Sequence, residues 1–285
     1  MTMKRYFLMA IFVLAATVPS FAGKKITEQE RAVIDAFWNL RMELTCLENK
    51  TDAVIAINKF PEDNREEVEK LSKEASLLLE SLMMMERYNY IYEFPGENRE
   101  SRKQFVEMRG KLKEYLENKK DSELTPEICL CYADITAYYM AYSIKDIIFN
   151  GTTVKKYQEK ALKVNPNFAP AMINLAQWYY YAPKLFGGSK DATREWQVKS
   201  IQCSRTNAEK FYAKTAYSQF LFEMKEYEES KKQLDECEEL CPGSNFVKLL
   251  KEQNAMGNSL NDYNKQRSKL LKSADDYRKK NNIKE

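Results

Sequence analysis

The sequence predicts an all-α fold, and three observations carry that prediction. Glycine and proline number only eight each in 285 residues, and nearly all of them fall between periodic segments, where helix breakers punctuate. Between the breakers, apolar residues recur at three- and four-residue intervals, the period of a helix face. No stretch alternates polar and apolar residues for long enough to make a strand.

Taken in order, residues 1–22 read as an export leader. Lys4 and Arg5 precede an uncharged apolar run from Tyr6 to Val18, and Ser20 and Ala22 place small residues before a cut after Ala22. The run is shorter than the ~20 apolar residues that span a bilayer, so cleavage is favoured over an uncleaved anchor. No later run approaches spanning length. The chain is therefore expected to be exported, to a periplasm or the medium.

Residues 23–124 are expected to form an N-terminal helical region. Thr27-Glu-Gln-Glu30 has the spacing of a capping box, ahead of Ile34, Phe37, Trp38 and Leu44. Asp63 with Glu66 predicts the start of a longer helix carrying Val68, Leu71, Ala75, Leu78, Leu82 and Met85 on one face. Met83, Met84 and Met85 suit a Met-rich binding surface, but Met85 falls on the apolar face and its neighbours suit gap filling. Thr125-Pro126 is an N-cap followed by proline at the first helical position, and it predicts a helix running to about Asn150 with Gly151 as its stop.

Composition narrows the function classes. Removing Lys4 and Arg5 leaves 43 basic residues against 42 acidic. Without a basic excess there is no electrostatic footprint for nucleic acid. Histidine is absent, which removes the commonest general base and leaves only thiolate or carboxylate sites for a metal. No such ligand set stands out, so no metal, no cofactor and no catalytic residue is assigned. An enzyme built on Ser–Lys, Cys or carboxylate chemistry is the weaker alternative. Six cysteines (Cys46, Cys129, Cys131, Cys203, Cys237 and Cys241) permit disulfides in an exported chain, and six thiols allow fifteen pairings among which the sequence does not choose.

Internal periodicity appears in residues 125–250. Ala161-Leu-Lys-Val-Asn-Pro166 matches Cys237-Glu-Glu-Leu-Cys-Pro242 in placing a small residue five positions before a proline. This pattern resembles the tetratricopeptide repeat (TPR), a 34-residue helix–turn–helix unit. The resemblance covers residues 135–244 as three units. The first runs from Ile135 to Phe168, with Tyr138, Ala141, Ala161 and Pro166 at motif positions. The second opens at Ala169, with Leu175, Ala176, Tyr179, Ala192 and Trp196. The third runs from Phe211 to Ser244, with Tyr217, Leu221, Tyr227, Ser230, Leu234, Cys237 and Pro242. Tyr142 and Ser218 stand where the family favours glycine. The implied fold is a TPR-like α-solenoid with extra N-terminal helices and a C-terminal capping helix over residues 251–285.

The stretch WYYYAPKLFGG (178–188) lengthens the second unit. Its aromatics belong to a first helix, and Pro183, Gly187 and Gly188 build an enlarged corner ahead of the capping residue Ser189. A phosphate loop does not fit, because Gly-Gly-Ser-Lys lacks the required order and no strand precedes it. Asn174 to Pro183 followed by Gly-Gly-Ser-Lys resembles the enlarged-loop repeat of T-component proteins associated with TRAP-type transporters, exported helical-repeat proteins that partner a periplasmic substrate-binding protein. The repeat resemblance further implies binding positions along a concave groove: Tyr139, Ser143 and Asp146, then Ile173, Gln177 and Tyr180, then Tyr212, Thr215, Gln219 and Phe222. That set is aromatic and neutral-polar, suited to an apolar or amide-rich peptide. A carrier for a small hydrophobic ligand, using the same groove, is the alternative.

Overall fold

In the computed structural model, residues 25–91 and 97–280 are described, and they contain thirteen α-helices, two short 3-10 turns and no strand. The predicted leader, its cut after Ala22 and the Pro95-Gly96 breaker lie outside them. Five helices come first: α1 (Glu28–Leu44), α2 (Lys50–Asp63), the single turn α3 (Arg65–Val68), α4 (Lys73–Ile91) and α5 (Glu97–Glu117). Then come α6 (Pro126–Met140), α7 (Ile144–Val164), α8 (Ala169–Tyr181), α9 (Lys190–Cys203), α10 (Asn207–Glu223), α11 (Tyr227–Leu240), α12 (Asn245–Ala255) and α13 (Leu260–Lys280).

Helix starts follow the local chemistry. Thr27 and Glu30 form the capping box of α1, with both reciprocal hydrogen bonds present. Thr125, Ser143, Ser189, Thr206 and Ser244 each accept a backbone N–H at the head of their helix, satisfying one of the orphan donors there.

Two expected helices are divided. The run predicted from Thr125 to Asn150 breaks at Ala141–Ser143, where the Ser143 hydroxyl accepts from Asp146 N and starts α7. Gly151 is therefore interior to α7 rather than its stop. Glycine lacks a strong enough penalty to end a helix whose other residues pack, and the Gly151 carbonyl accepts from the Trp178 indole at 3.1 Å. The helix predicted to start at Asp63 is divided too. Asp63 is the last residue of α2, and Pro61 sits inside that helix. Val68 belongs to α3, and the Ser72 hydroxyl accepts from Ala75 N near the start of α4. Val68 and Leu71 nonetheless pack on the same core that takes Leu78 and Met85, so the apolar spacing marked burial correctly without marking one continuous helix. Met83 and Met84 pack half-buried beside Met85.

The closest helix packing lies within α6–α7, α8–α9 and α10–α11, successive pairs joined by Ala141–Ser143, Ala182–Ser189 and Met224–Glu226. Neighbouring pairs touch through α7–α8, α9–α10 and α8–α10, a packing consistent with a helical repeat. The N-terminal helices are not appended at one end. α4 and α5 pack on α6, and α1 packs on both α4 and α10. Thus α1 reaches across to the third pair, 160 and more residues away in sequence. Arg205 fixes that approach by binding Asp35 at 3.0 Å.

Candidate functional site

The faces of α6, α8 and α10 border a cavity of about 880 Å³. Trp38 and Arg41 of α1 contribute to its wall, as do residues of α7 and α9, and Leu260, Asn261 and Asn264 of α13. Its lining is mainly apolar and aromatic, with Tyr138, Ile173, Trp178, Tyr180, Tyr181, Tyr212 and Phe220 prominent. That size and character fit a small-molecule or side-chain pocket. Ile147, Ile148, Tyr181 and Phe186 border the cavity while remaining strongly exposed, so its mouth has an apolar rim.

Among the described residues, three charged side chains line this space: Arg41, Asp134 and Glu223. The Arg41 Nε donates to Glu86 Oε2 at 2.8 Å, and its guanidinium lies 4.3 Å from the Trp38 ring and 4.9 Å from that of Tyr212. Burial opposes this charge, but the adjacent Glu86 carboxylate outweighs burial and holds the guanidinium firmly protonated. Asp134 accepts from Asn174 Nδ2 at 2.7 Å. Burial pushes its carboxyl up to about 7, with the Asn174 amide and the Arg41 charge offsetting only part of the rise. Glu223 accepts from the Tyr180 hydroxyl, and Tyr180 also meets Phe220 edge-on at 5.7 Å. Burial raises the Tyr180 hydroxyl, and the hydrogen-bonded Glu223 carboxylate raises it further. It is therefore a donor throughout the physiological range.

The corner at Ala182–Ser189 is closed by its own backbone. Ser189 N donates to Tyr179 O at 2.9 Å and Gly188 N to Pro183 O at 3.2 Å. Gly187 has φ +94°, a left-handed conformation that glycine adopts without strain. A Cβ on Gly188 would lie 1.8 Å from Ala182 O, so that position excludes every other side chain. These contacts hold Pro183 and Phe186 at the cavity.

Of the residues implied by the repeat register, Ile173, Gln177, Tyr180, Tyr212, Thr215 and Gln219 border the cavity, as does Pro183. Tyr139, Ser143, Asp146, Phe222, Gly187 and Gly188 do not. The Tyr139 hydroxyl donates to Asp146 Oδ1 at 2.9 Å, Ser143 caps α7, and Phe222 packs edge-on against Tyr227 at 5.1 Å. Ser143 and Asp146 lie at and beyond the turn at Ala141–Ser143, which a register counted from Ile135 places inside one continuous helix, whereas Tyr139 lies before it on α6. Asp134 was the legible omission, as the one carboxylate between Ile128 and Tyr142. Trp38 and Arg41 had no such signal, because only tertiary packing carries α1 to this wall.

Among the described residues, no group of three or more His, Cys, Asp or Glu side chains is arranged to hold a metal, and no helix is long and apolar enough to cross a membrane. No protein-family model matches this chain, and no curated protein matches it. The class defined here is an all-helical protein with paired-helix packing around an internal cavity.

Proposed function

We propose that this protein is a TPR-like, non-enzymatic binding protein that holds a ligand in its concave groove. One observation carries the reading: the first helices of three successive pairs, α6, α8 and α10, turn their faces to one aromatic cavity. In a helical solenoid, that is the surface used for recognition. The volume favours a small ligand or an inserted side chain over a long peptide. Asp134, Arg41 and Glu223 stand among neutral-polar and aromatic groups with no histidine in the chain, which supports binding over general acid–base chemistry.

The test is native mass spectrometry of the protein purified under mild conditions from its own cells. A bound mass is expected, and Ala137→Trp, which places an indole in the cavity, should abolish it. A chain that is bare in both forms would remove the reading.

The protein-partner form of the proposal rests on the exposed apolar rim of Ile147, Ile148, Tyr181 and Phe186, since a contiguous exposed apolar patch marks interaction surfaces. Together with the resemblance of the 174–190 corner to transporter T-components, it makes an exported substrate-binding protein the partner to seek. Crosslinking in the native cells should capture such a protein, and Ile148→Asp should prevent capture.

A further inference from the structure

The polar groups facing the cavity are skewed towards acceptors. The Gln158 and Gln197 side chains are only 4% and 2% exposed, and both border the cavity. The Oε1 atom of each is buried without a hydrogen-bond partner. Such an unpaired buried acceptor costs about 1–3 kcal/mol, which a ligand N–H or O–H would recover. Asp134 has a neutral partner in Asn174, and Glu223 has one in Tyr180. Arg41 is already matched by Glu86. Among the described residues, the two carboxyl groups on the lining thus have no ion-pair partner, while the Arg41 guanidinium is paired with Glu86.

We propose that the groove takes an organic amine with an apolar body, its ammonium group paired with Asp134 and its body lying against the aromatic wall. This rests on the groove being the binding site. Aromatic faces and a carboxylate together favour an ammonium ion. Besides burial, the groups that act on Asp134 are Asn174 from α8 and Arg41 from α1, and on its own helix Asp134 in turn acts on Tyr138 and Cys131. None but Arg41 is a cation. A carboxylate ligand would meet Asp134 and Glu223 with like charge.

Calorimetric titration of the full chain at pH 7.5 with octylamine, octanol and octanoate tests this. Octylamine should bind at least ~10-fold more tightly than the other two, a difference of about 1.4 kcal/mol. Asp134→Asn, which keeps shape and hydrogen bonding, should lower octylamine affinity ~10-fold or more and leave octanol unchanged. Equal binding of all three would leave the groove standing and overturn the amine. Preference for octanoate, or an Asp134→Asn protein that still prefers octylamine, would overturn it as well. If no probe binds at all, the groove reading falls with it.

Independently, the Cys46 and Cys241 sulfurs lie 3.5 Å apart across 195 residues of sequence. Their backbones are registered by other bonds. Asn245 N donates to Thr45 O and Asn245 Nδ2 to Cys46 O, both at 2.8 Å, and the Thr45 and Ser244 hydroxyls meet at 2.8 Å. Cys46 is half-buried and Cys241 buried. Burial pushes the Cys241 thiol up to about 11, with the neighbouring Cys46 adding to the rise. Of the other cysteines, Cys237 Sγ faces Phe211 O and Cys203 Sγ faces Asn167, and Cys129 and Cys131 are buried.

We infer that Cys46 and Cys241 are the pair that forms a disulfide, covalently tying α1 to the end of α11 and so fixing one wall of the cavity. With a low-molecular-weight disulfide as oxidant, the accessible Cys46 thiolate attacks one of its sulfurs and expels a thiolate. The deprotonated Cys241 sulfur then attacks Cys46 Sγ and displaces the second small thiol. Each protein thiol gives up one proton, and the oxidant leaves as two thiols.

Incubating the folded full chain with oxidised glutathione, then alkylating it under denaturing conditions, should label four cysteines instead of six. Peptide mapping should find only the 46–241 bridge, and the oxidised protein should melt several degrees higher, roughly 5–15 °C. Cys46→Ser, a half-exposed and conservative change, should leave all five remaining thiols free. Six labelled thiols in the oxidised protein, or a bridge between Cys237 and Cys241, would overturn the assignment. A bridge that persists in Cys46→Ser would do the same.

Discussion

The body of helices from α1 to α8 and the third helical pair, α10–α11, are held by different means. One large cluster joins the former, with Phe37, Phe105, Leu112, Ile128 and Leu175 almost wholly buried in it. The third pair has two small clusters instead. Phe211, Leu234, Cys237, Cys241, Val247 and Leu250 form one, and Tyr217, Phe220 and Leu221 form the other. Its attachment to α1 adds polar contacts, namely Arg205 with Asp35 and Thr45 with Ser244. Since surface ion pairs contribute little and buried apolar area much, the smaller clusters of the third pair predict a lower local stability than that of the α1–α8 body. Both regions contribute to the lining of the cavity.

The comparison is broken most severely by Phe105→Ala. Phe105 is fully buried and meets Tyr88 and Tyr138 at 5.3 Å each. Its loss should cost about 3–5 kcal/mol and lower one cooperative melting transition in thermal denaturation. If only part of the helical signal shifts, the large cluster is not a single unit. Glu86→Gln comes next, because it leaves the Arg41 charge without its partner. A loss of about 3 kcal/mol is expected in urea unfolding, and a loss below 1 kcal/mol would mean that Trp38 and Tyr212 alone suffice.

A gain is expected from Asp134→Asn. The folded-state carboxyl titrates at about 7, above the ~3.9 of an unfolded aspartate. The native protein therefore holds the proton more tightly, and stability falls as pH rises from 4 through 7. The variant removes that fall and should exceed the parent by roughly 1–3 kcal/mol at pH 8 while matching it near pH 4. Parallel denaturation curves at both pH values check the sign. Glu30 runs the other way. Burial would raise its carboxyl, yet hydrogen bonds from Ser72 and Thr27 outweigh burial and hold it at about 2. Its contribution is present above the usual carboxylate range and is lost as pH falls towards 2.

The smallest global effect belongs to Asp35→Ala. Removing the partly exposed Arg205 contact should cost under about 1 kcal/mol overall. Hydrogen exchange should nonetheless quicken in α10–α12 before it does in α4–α6. Uniform exchange across both regions would remove the distinction between them.

By itself the sequence determined the helical class, the starts of α1, α6 and α9, and much of the burial. Thr27 with Glu30, Thr125 with Pro126, and Ser189 each act through bonds to residues three or four away, which local chemistry encodes. The apolar spacing from Val68 to Met85 marked side chains that do pack together. It could not say that the helix breaks between Val68 and Lys73, because an apolar period reports the buried direction and not chain continuity. Likewise Ala141–Ser143 turns inside a run that reads as one helix, which puts Ser143 and Asp146 at the head of α7 instead of on α6. The cavity was a tertiary decision throughout. Arg41 meets Tyr212, and Cys46 meets Cys241, across more than 170 residues, and no local periodicity carries such separations. Six thiols were equivalent in the sequence, and only the approach of α1 to the end of α11 brings two of their sulfurs together.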